Sequence, residues 1–214
     1  MFDLDRTLLS ADSTVAWMRC LLRASPWKLL AVLPVLPVAL VLLRFPSARR
    51  MGASVLLWIV TYGLDRSALG QSIEAFATRF ERGMPGLRWF DDGMERLRVH
   101  LAGGDRVVVV TAAPQWIAER LLAVFGSDLQ VIGSVLRRAG SGWILQRHCH
   151  GAEKSRMLLE SGYGGAWRWA YSDSDDDAPM LLRAREAFLV NANAKVQRRA
   201  AARGVSQAVL LRWR

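Results

Sequence analysis

Hydrophobic residues keep two different rhythms along this chain, and the change falls near Asp105. Before it, apolar positions recur at helical spacing or fill unbroken runs. "STVAWMRCLLRA" predicts an amphipathic helix, and "LLAVLPVLPVALVLL" (29–43) and "MGASVLLWIVTYGL" (51–64) predict two apolar helical segments. "SALGQSIEAFATRFER" and "LRWFDDGMERLRVHLA" predict two more amphipathic helices. After the change, "RVVVVT" (106–111) is a continuous β-branched run ending on a threonine, the pattern of a parallel strand buried on both faces. Helix candidates "PQWIAERLLAVFG", "AEKSRMLLESG", "DAPMLLRA" and "AKVQRRAAARG" then alternate with strand candidates "LQVIGSVL", "WRWAYSDSD", "EAFLVN" and "SQAVLLRW", with a hairpin expected around "RRAGSG". Such alternation predicts an α/β fold with a parallel sheet. The expected division is an α/β core of residues 1–11 and 105–214, with residues 12–104 as a helical insertion.

Composition adds a partner class to this picture. Apolar residues make up 52% of the 214 positions, and mean hydropathy is +0.14, high for a chain of this size. Lys and Arg number 29 against 19 Asp and Glu, a net charge of +10 that favours an anionic partner. Cys20 and Cys149 lie far apart and form no CxxC, which argues against a disulfide scaffold and for a reducing, cytosolic setting. Acids stand where a basic leader would sit, so no signal peptide is expected. The tail from Lys195 to Arg214 carries six basic residues and no acid, but no recognition motif accompanies it, so nucleic acid is not the expected partner. In "RHCHG", His148 and His150 would share a strand face, yet no third ligand stands nearby in sequence, and zinc is not expected there.

Sites in open α/β sheets form beyond the carboxyl ends of the strands. Those ends carry one set of residue types. The opening stretch "MFDLDRTLLS" delivers Asp3 and Asp5, and "RVVVVT" delivers Thr111, followed by the small Ala112 and Ala113. "WRWAYSDSD" delivers Asp173, with Asp177 four residues on, and Lys154 opens the helix between these strands. Each feature alone is an ordinary turn or surface residue. Together, in this order, they fall on one edge of one inferred sheet.

"DLDRT", "VVVVT", "EKSRML" and "YSDSDDDAPML" resemble, in order, the four motifs of the haloacid dehalogenase-like phosphohydrolases. The DxDxT form with a helical insertion after it resembles the subclass that contains phosphoserine phosphatase. The resemblance implies a Rossmann-like core and a Mg²⁺-dependent phosphatase. It implies that Asp3 is the nucleophile forming an aspartyl phosphate and Asp5 the acid and base. It further implies that Thr111, Ala112 and Lys154 hold the phosphate, and that Asp3, the backbone carbonyl of Asp5, Asp173 and, in support, Asp177 hold the metal. Arg6 departs from a position where the family often has glycine. Asp175 and Asp176 are expected to be exposed rather than ligating.

The insertion separates the chain from a soluble phosphatase. Segments 29–43 and 51–64, at 15 and 14 residues, reach roughly 22 Å as helices, short of the ~30 Å hydrocarbon core. Pro34 and Pro37 also disfavour a straight span. Asp3 precedes both segments while Thr111, Lys154 and Asp173 follow them, so any number of crossings is even. The least costly arrangement lays the pair in the membrane interface, with Arg44, Arg49 and Arg50 among anionic headgroups and Trp27, Trp58 and Tyr62 at that level. A buried helix pair is the alternative. The stretch from Ser25 to Leu69 resembles the corresponding insertion of the bacterial phosphatidylglycerophosphatase C family. That likeness implies a phospholipid phosphomonoester substrate, an anionic membrane surface as partner, and a place on the cytoplasmic side of the bacterial inner membrane. A soluble phosphatase for a small ester such as phosphoserine, and a catalytically silent membrane-binding protein, are the competing expectations. Finally, a nucleophile at a strand's carboxyl end wants about five strand residues before it, and only Met1 and Phe2 precede Asp3. The expectation is a start upstream of Met1.

Overall fold

Phe2 joins the two halves of the sheet. In the computed structural model, which describes residues 1–45 and 47–214, Phe2 pairs in parallel with Val109 on one side and Tyr171 on the other. Its N–H donates to Val108 O and its carbonyl accepts from Val110 N–H, while Asp3 N–H donates to Tyr171 O at 2.9 Å. The flanking strands are β1 (Val107–Pro114) and β4 (Trp167–Ser172). Outward from these lie β2 (Leu129–Ala139) beside β1, and β5 (Ala184–Val190) and β6 (Val209–Leu211) beyond β4, all parallel. The α/β fold with a parallel, Rossmann-like sheet is therefore as the strand–helix alternation predicts.

The valine run shows why this sheet is buried on both sides. Val107 and Val109 pack into one apolar cluster with Phe2, Leu97 and Ile117. Val108 and Val110, pointing the other way, join Leu158, Ala170, Met180 and Ala200. A period-2 chain with apolar residues at every position can only sit between two layers. One layer holds α5 (Asp91–Ala102) and α6 (Gln115–Leu122), and the other holds α7 (Ala152–Glu160), α8 (Ala178–Leu181) and α9 (Ala194–Ala202). Helix α5 was grouped with the insertion by sequence, but it lies on the sheet. A Cβ on its Gly93 would come within 2.8 Å of the Trp213 ring, and Asp91 N–H donates to Arg214 O.

Helices α1 (Ser13–Ala24), α2 (Trp27–Arg44), α3 (Arg49–Val60) and α4 (Arg66–Glu81) fill the insertion. Helix α4 buries Leu69, Ile73, Phe76, Ala77 and Phe80, a single stripe at helical spacing. Helix α2 differs from expectation in length: it runs through Pro34 and Pro37 for 18 residues, roughly 27 Å. It buries only Lys28, Val32 and Ala39. Leu30 is 75% exposed, Leu33 60% and Val38 61%, so α2 is not a buried cap helix. Gly52 lets α3 close on α2, since a Cβ there would stand 2.9 Å from Ala39 O.

The pair is fixed to the core through the antiparallel hairpin of β2 with β3 (Gly142–Arg147). Trp58 Nε1 donates to Ala139 O at 2.8 Å, Trp143 N–H to Thr61 Oγ1 at 2.9 Å, and Trp143 Nε1 to Leu64 O at 2.9 Å. Residues 148–150 follow β3 as a loop rather than continuing the strand. Asp175 is buried, not exposed, and pairs with Arg203 at 3.2 Å. Asp176 pairs with Arg49 and Arg203, both at 2.9 Å. These corrections share one cause, since α3 and α9 each bring an arginine to that loop. Arg49 is thereby turned toward the core instead of outward.

Candidate active site

The opening stretch alternates, and the alternation places its acids. Leu4 and Leu8 are fully buried beneath the sheet edge, which turns Asp3 and Asp5 the other way. Arg6 follows at φ 61°, a left-handed turn that favours glycine and costs a side-chain-bearing residue about 1 kcal/mol. This turn is the physical reason glycine is common at that place. It carries the chain into α1, whose first N–H, from Ser13, donates to Asp5 Oδ1 at 2.7 Å.

Lys154 meets Asp3 and Asp177 across 151 and 23 positions of sequence. Lys154 Nζ donates to Asp3 Oδ1 at 2.6 Å and to Asp177 Oδ2 at 2.7 Å, and all three residues are buried. Ser172, the last residue of β4, donates its hydroxyl to the same Asp177 oxygen at 2.7 Å. Thr7 donates to Asp3 Oδ2 at 3.4 Å and accepts the N–H of Asp173 at 2.9 Å, tying the first strand end to the fourth. Thr111 is fully buried, its Oγ1 accepting from Ala113 N–H at 3.0 Å. Pairing of β1 with β2 breaks between Val110 and Pro114, so Thr111, Ala112 and Ala113 leave the ladder at the catalytic edge. Ala112 O is held by Ser134 Oγ at 2.7 Å.

All seven sequence-predicted residues thus stand at the carboxyl edge of the sheet. Thr7 and Ser172 were not singled out. Their only signal is a hydroxyl at a strand end or just after an acid pair, which is common in turns. Cys149 is no competing nucleophile: it is buried, and burial pushes its thiol up to about 12.

Electrostatics separates the carboxylates. Burial raises Asp3 to about 6, with Lys154 opposing and Asp177 adding to the rise. Burial raises Asp173 to about 7, reinforced by Asp3 and Asp177 and opposed by Lys154 and Arg6. Asp5 lies well above the ordinary carboxylate range, through burial and then the charge of Asp12, against the Ser13 N–H. Burial alone would lower Lys154, but Asp177 and Asp3 outweigh it and hold it protonated. A carboxyl whose proton is favoured by burial and a neighbouring acid is suited to donating that proton and taking it back.

Residues 1–182 match the haloacid dehalogenase-like hydrolases. The chain belongs to this family. Similar solved structures include a protein of unknown function from Bordetella pertussis Tohama I, 22% identical over 98% of this chain and 96% of that one, with a TM-score of 0.74. A family hydrolase from Salmonella enterica serovar Typhi is 16% identical over 92% of this chain and 63% of its own, at TM-score 0.64. A phosphoserine phosphatase solved as a phospho-aspartyl intermediate analogue is 16% identical over 98% of this chain and 90% of its own, at TM-score 0.62. These likenesses concern the fold.

Members of this hydrolase family that act as phosphatases generally use Mg²⁺, and the donor set fits such an ion. Lys154 pairs with Asp3 and Asp177, while Asp173 is offset only through the charges of Lys154 and Arg6, so carboxylates outnumber cations at this edge. Among the described residues no three His, Cys, Asp or Glu side chains form a cation site by themselves. The carboxylates of Asp3 and Asp173 offer oxygen donors of the kind Mg²⁺ takes up together with water. Asp177, with Oδ2 engaged by Lys154 and Ser172, stands behind that set.

Proposed function

We propose that this hydrolase is a phosphatase working through an aspartyl phosphate, and that its substrate is the phosphomonoester of a membrane phospholipid, phosphatidylglycerophosphate. The buried Asp3–Lys154–Asp177 cluster with Asp5 two residues on carries the chemical half of this reading. A carboxylate oxygen of Asp3 attacks phosphorus, the bond from phosphorus to the leaving alcohol oxygen breaks, and that oxygen takes the proton of Asp5. Water then attacks the aspartyl phosphate, giving its proton back to Asp5 and releasing inorganic phosphate and free Asp3. Lys154, the Thr111 hydroxyl and the backbone at Ala112 hold the phosphoryl oxygens. Asp3, the Asp5 carbonyl and Asp173 would hold Mg²⁺, which when bound would offset the negative charge of phosphate and nucleophile.

The lipid half rests on α2. Its outer face exposes Leu29, Leu30, Leu33, Val38, Leu40 and Val41, and Arg44 stands exposed at its end. Trp27 packs edge-on against Tyr62, which also meets Trp58, giving an aromatic group at the foot of the helix pair. Hydrogen bonds from Trp58 and to Thr61 tie the pair to the β2–β3 hairpin, which favours a pair lying along the membrane over one crossing it. An anionic surface on the cytoplasmic side of the bacterial inner membrane, met side-on by α2, accommodates all of this together with the net charge of +10.

Phosphate release from phosphatidylglycerophosphate, phosphatidic acid and phosphoserine, assayed side by side with Mg²⁺, tests the reading. Turnover of the lipid esters, with co-sedimentation on anionic vesicles, is expected. Turnover of phosphoserine alone would replace the lipid reading with a soluble phosphatase, and no release from any ester would leave a silent membrane-binding protein.

A further inference from the structure

Among the described residues, two cavities lined by four or more arginines stand out, and only one of them is charge-satisfied. The larger, about 730 Å³, is lined by Arg49, Arg50, Arg147, Arg156 and Arg203. Four of these are paired: Arg49 with Asp176, Arg147 with Glu153 and Glu160, Arg156 with Glu153, and Arg203 with Asp175 and Asp176. Arg50 donates to the Gln146 carbonyl. That cavity holds its charges together as structure and needs no outside anion.

The smaller cavity, about 540 Å³, lies between α1, the α4 end and the turn at 84–87, and is lined by Arg6, Arg19, Arg23 and Arg79. None of these four forms an ion pair among the described residues. The one acid in its lining is Asp12, whose Oδ1 is engaged by the Val15 N–H at the start of α1. Arg19 and Arg23 stand one turn apart on α1, a like-charged pair that disfavours the helix. Arg6 adds a left-handed backbone that glycine would relax. Two costs to stability therefore meet at one cavity with four exposed, unpaired arginines, and Arg6 directly follows the proposed acid Asp5. Unbalanced costs concentrated in this way mark a place shaped for something other than stability.

We propose that this cavity is a subsite for a second phosphate-class anion of the substrate, so that preferred substrates carry a phosphodiester or second phosphate beside the phosphomonoester that is cleaved. The inference rests on the phosphatase reading above. Guanidinium groups suit it, because their fork of donors binds two phosphate oxygens at once and stays charged at any working pH. The four arginines set specificity and take no part in bond breaking, which remains with Asp3 and Asp5.

The anion could come from the substrate itself or from a neighbouring lipid headgroup, and a soluble substrate pair separates the two. The probes are deacylated phosphatidylglycerophosphate, which has both a diester and a monoester, and glycerol 3-phosphate, which has the monoester alone. The wild-type protein is expected to favour the first by about tenfold or more in kcat/KM. In Arg19→Ala/Arg79→Ala that ratio should fall to within about twofold. Arg6→Gly should lower the ratio in the same sense while melting at a higher temperature. An unchanged ratio in both variants overturns the proposal. So does a preference that is absent with the soluble pair and arises only in anionic vesicles, because the cavity would then be reading the membrane. Calorimetric binding of the same two probes to Asp3→Asn provides a readout independent of turnover. A preference for the two-anion probe there, lost with the arginines, supports the subsite even if the wild type hydrolyses neither ester. Equal binding of both probes refutes it.

Discussion

The two ends of the sheet each bury a polar cluster, and the clusters are built on opposite terms. Toward the amino ends of the strands, His100 is held between Asp105, 2.8 Å from Nδ1, and the Tyr171 hydroxyl, 2.9 Å from Nε2. Phe2 meets its ring edge-on and Trp169 lies against it at 4.5 Å. Both ring nitrogens of His100 have partners, and the network closes on itself. Toward the carboxyl ends, Asp3 and Asp177 share one lysine, Asp3 is raised by burial and Asp177, and Asp173 by burial, Asp3 and Asp177. The first cluster is what stability alone produces. The second keeps an excess of carboxylates that a bound cation would offset, and that imbalance locates the chemistry.

Substitutions can sharpen or break this contrast. The largest effect is expected from Asp3→Asn, which should lower phosphate release on the order of 10³-fold or more while leaving the melting temperature equal or higher. A parallel loss of fold would make Asp3 structural, like His100. Lys154→Met should cost about 3 kcal/mol of stability as well as most of the activity, because it leaves Asp3 and Asp177 buried without a counter-charge. Denaturant melts beside rate measurements would expose a purely structural lysine, whose loss would cost stability and spare turnover in the surviving folded protein.

Chelation should act through charge as well as rate. Asp3 near 6 and Asp173 near 7 both lie above their ordinary values, so each stabilises the metal-free fold at low pH and loses that contribution as pH rises through its folded value. The melting temperature of chelator-treated protein should therefore fall between about pH 4 and pH 7, and added Mg²⁺ should recover both stability and activity at the upper end. A melting temperature flat with pH and indifferent to Mg²⁺ would speak against a charge-imbalanced edge. Smallest in its effect on activity, His100→Ala should destabilise by about 2 kcal/mol through lost hydrogen bonds and packing. Turnover at low temperature should stay within about threefold of wild type. A much larger loss of turnover would mean that the closed network also serves the chemistry.

Much of this contrast can be read before any coordinates. The run of valines from Val107 to Val110 reads as a doubly buried strand because its hydrophobicity has no period, and parallel strands send their carboxyl ends to one edge. Asp3, Asp5, Thr111, Lys154 and Asp173 follow from that topology. The parts that stay hidden depend on contacts between distant segments. Thr7 holds the Asp173 N–H across 166 positions, and nothing in "DLDRT" alone says so. Asp175 and Asp176 look like surplus surface acids until Arg49 and Arg203 arrive from two helices. Helix α5 carries an ordinary amphipathic pattern, and only Trp213 behind Gly93 assigns it to the sheet.

The central claim is that Asp3 forms a covalent bond to phosphorus. Mixing the protein with a phosphate-labelled monoester, quenching in acid within a single turnover and sequencing the labelled peptide tests it directly. The account predicts acid-stable, base-labile label on the peptide that begins at Met1, carried by Asp3 and lost in Asp3→Asn. Phosphate release at the wild-type rate with no label on Asp3, or with Asp3→Asn still turning over, would contradict it.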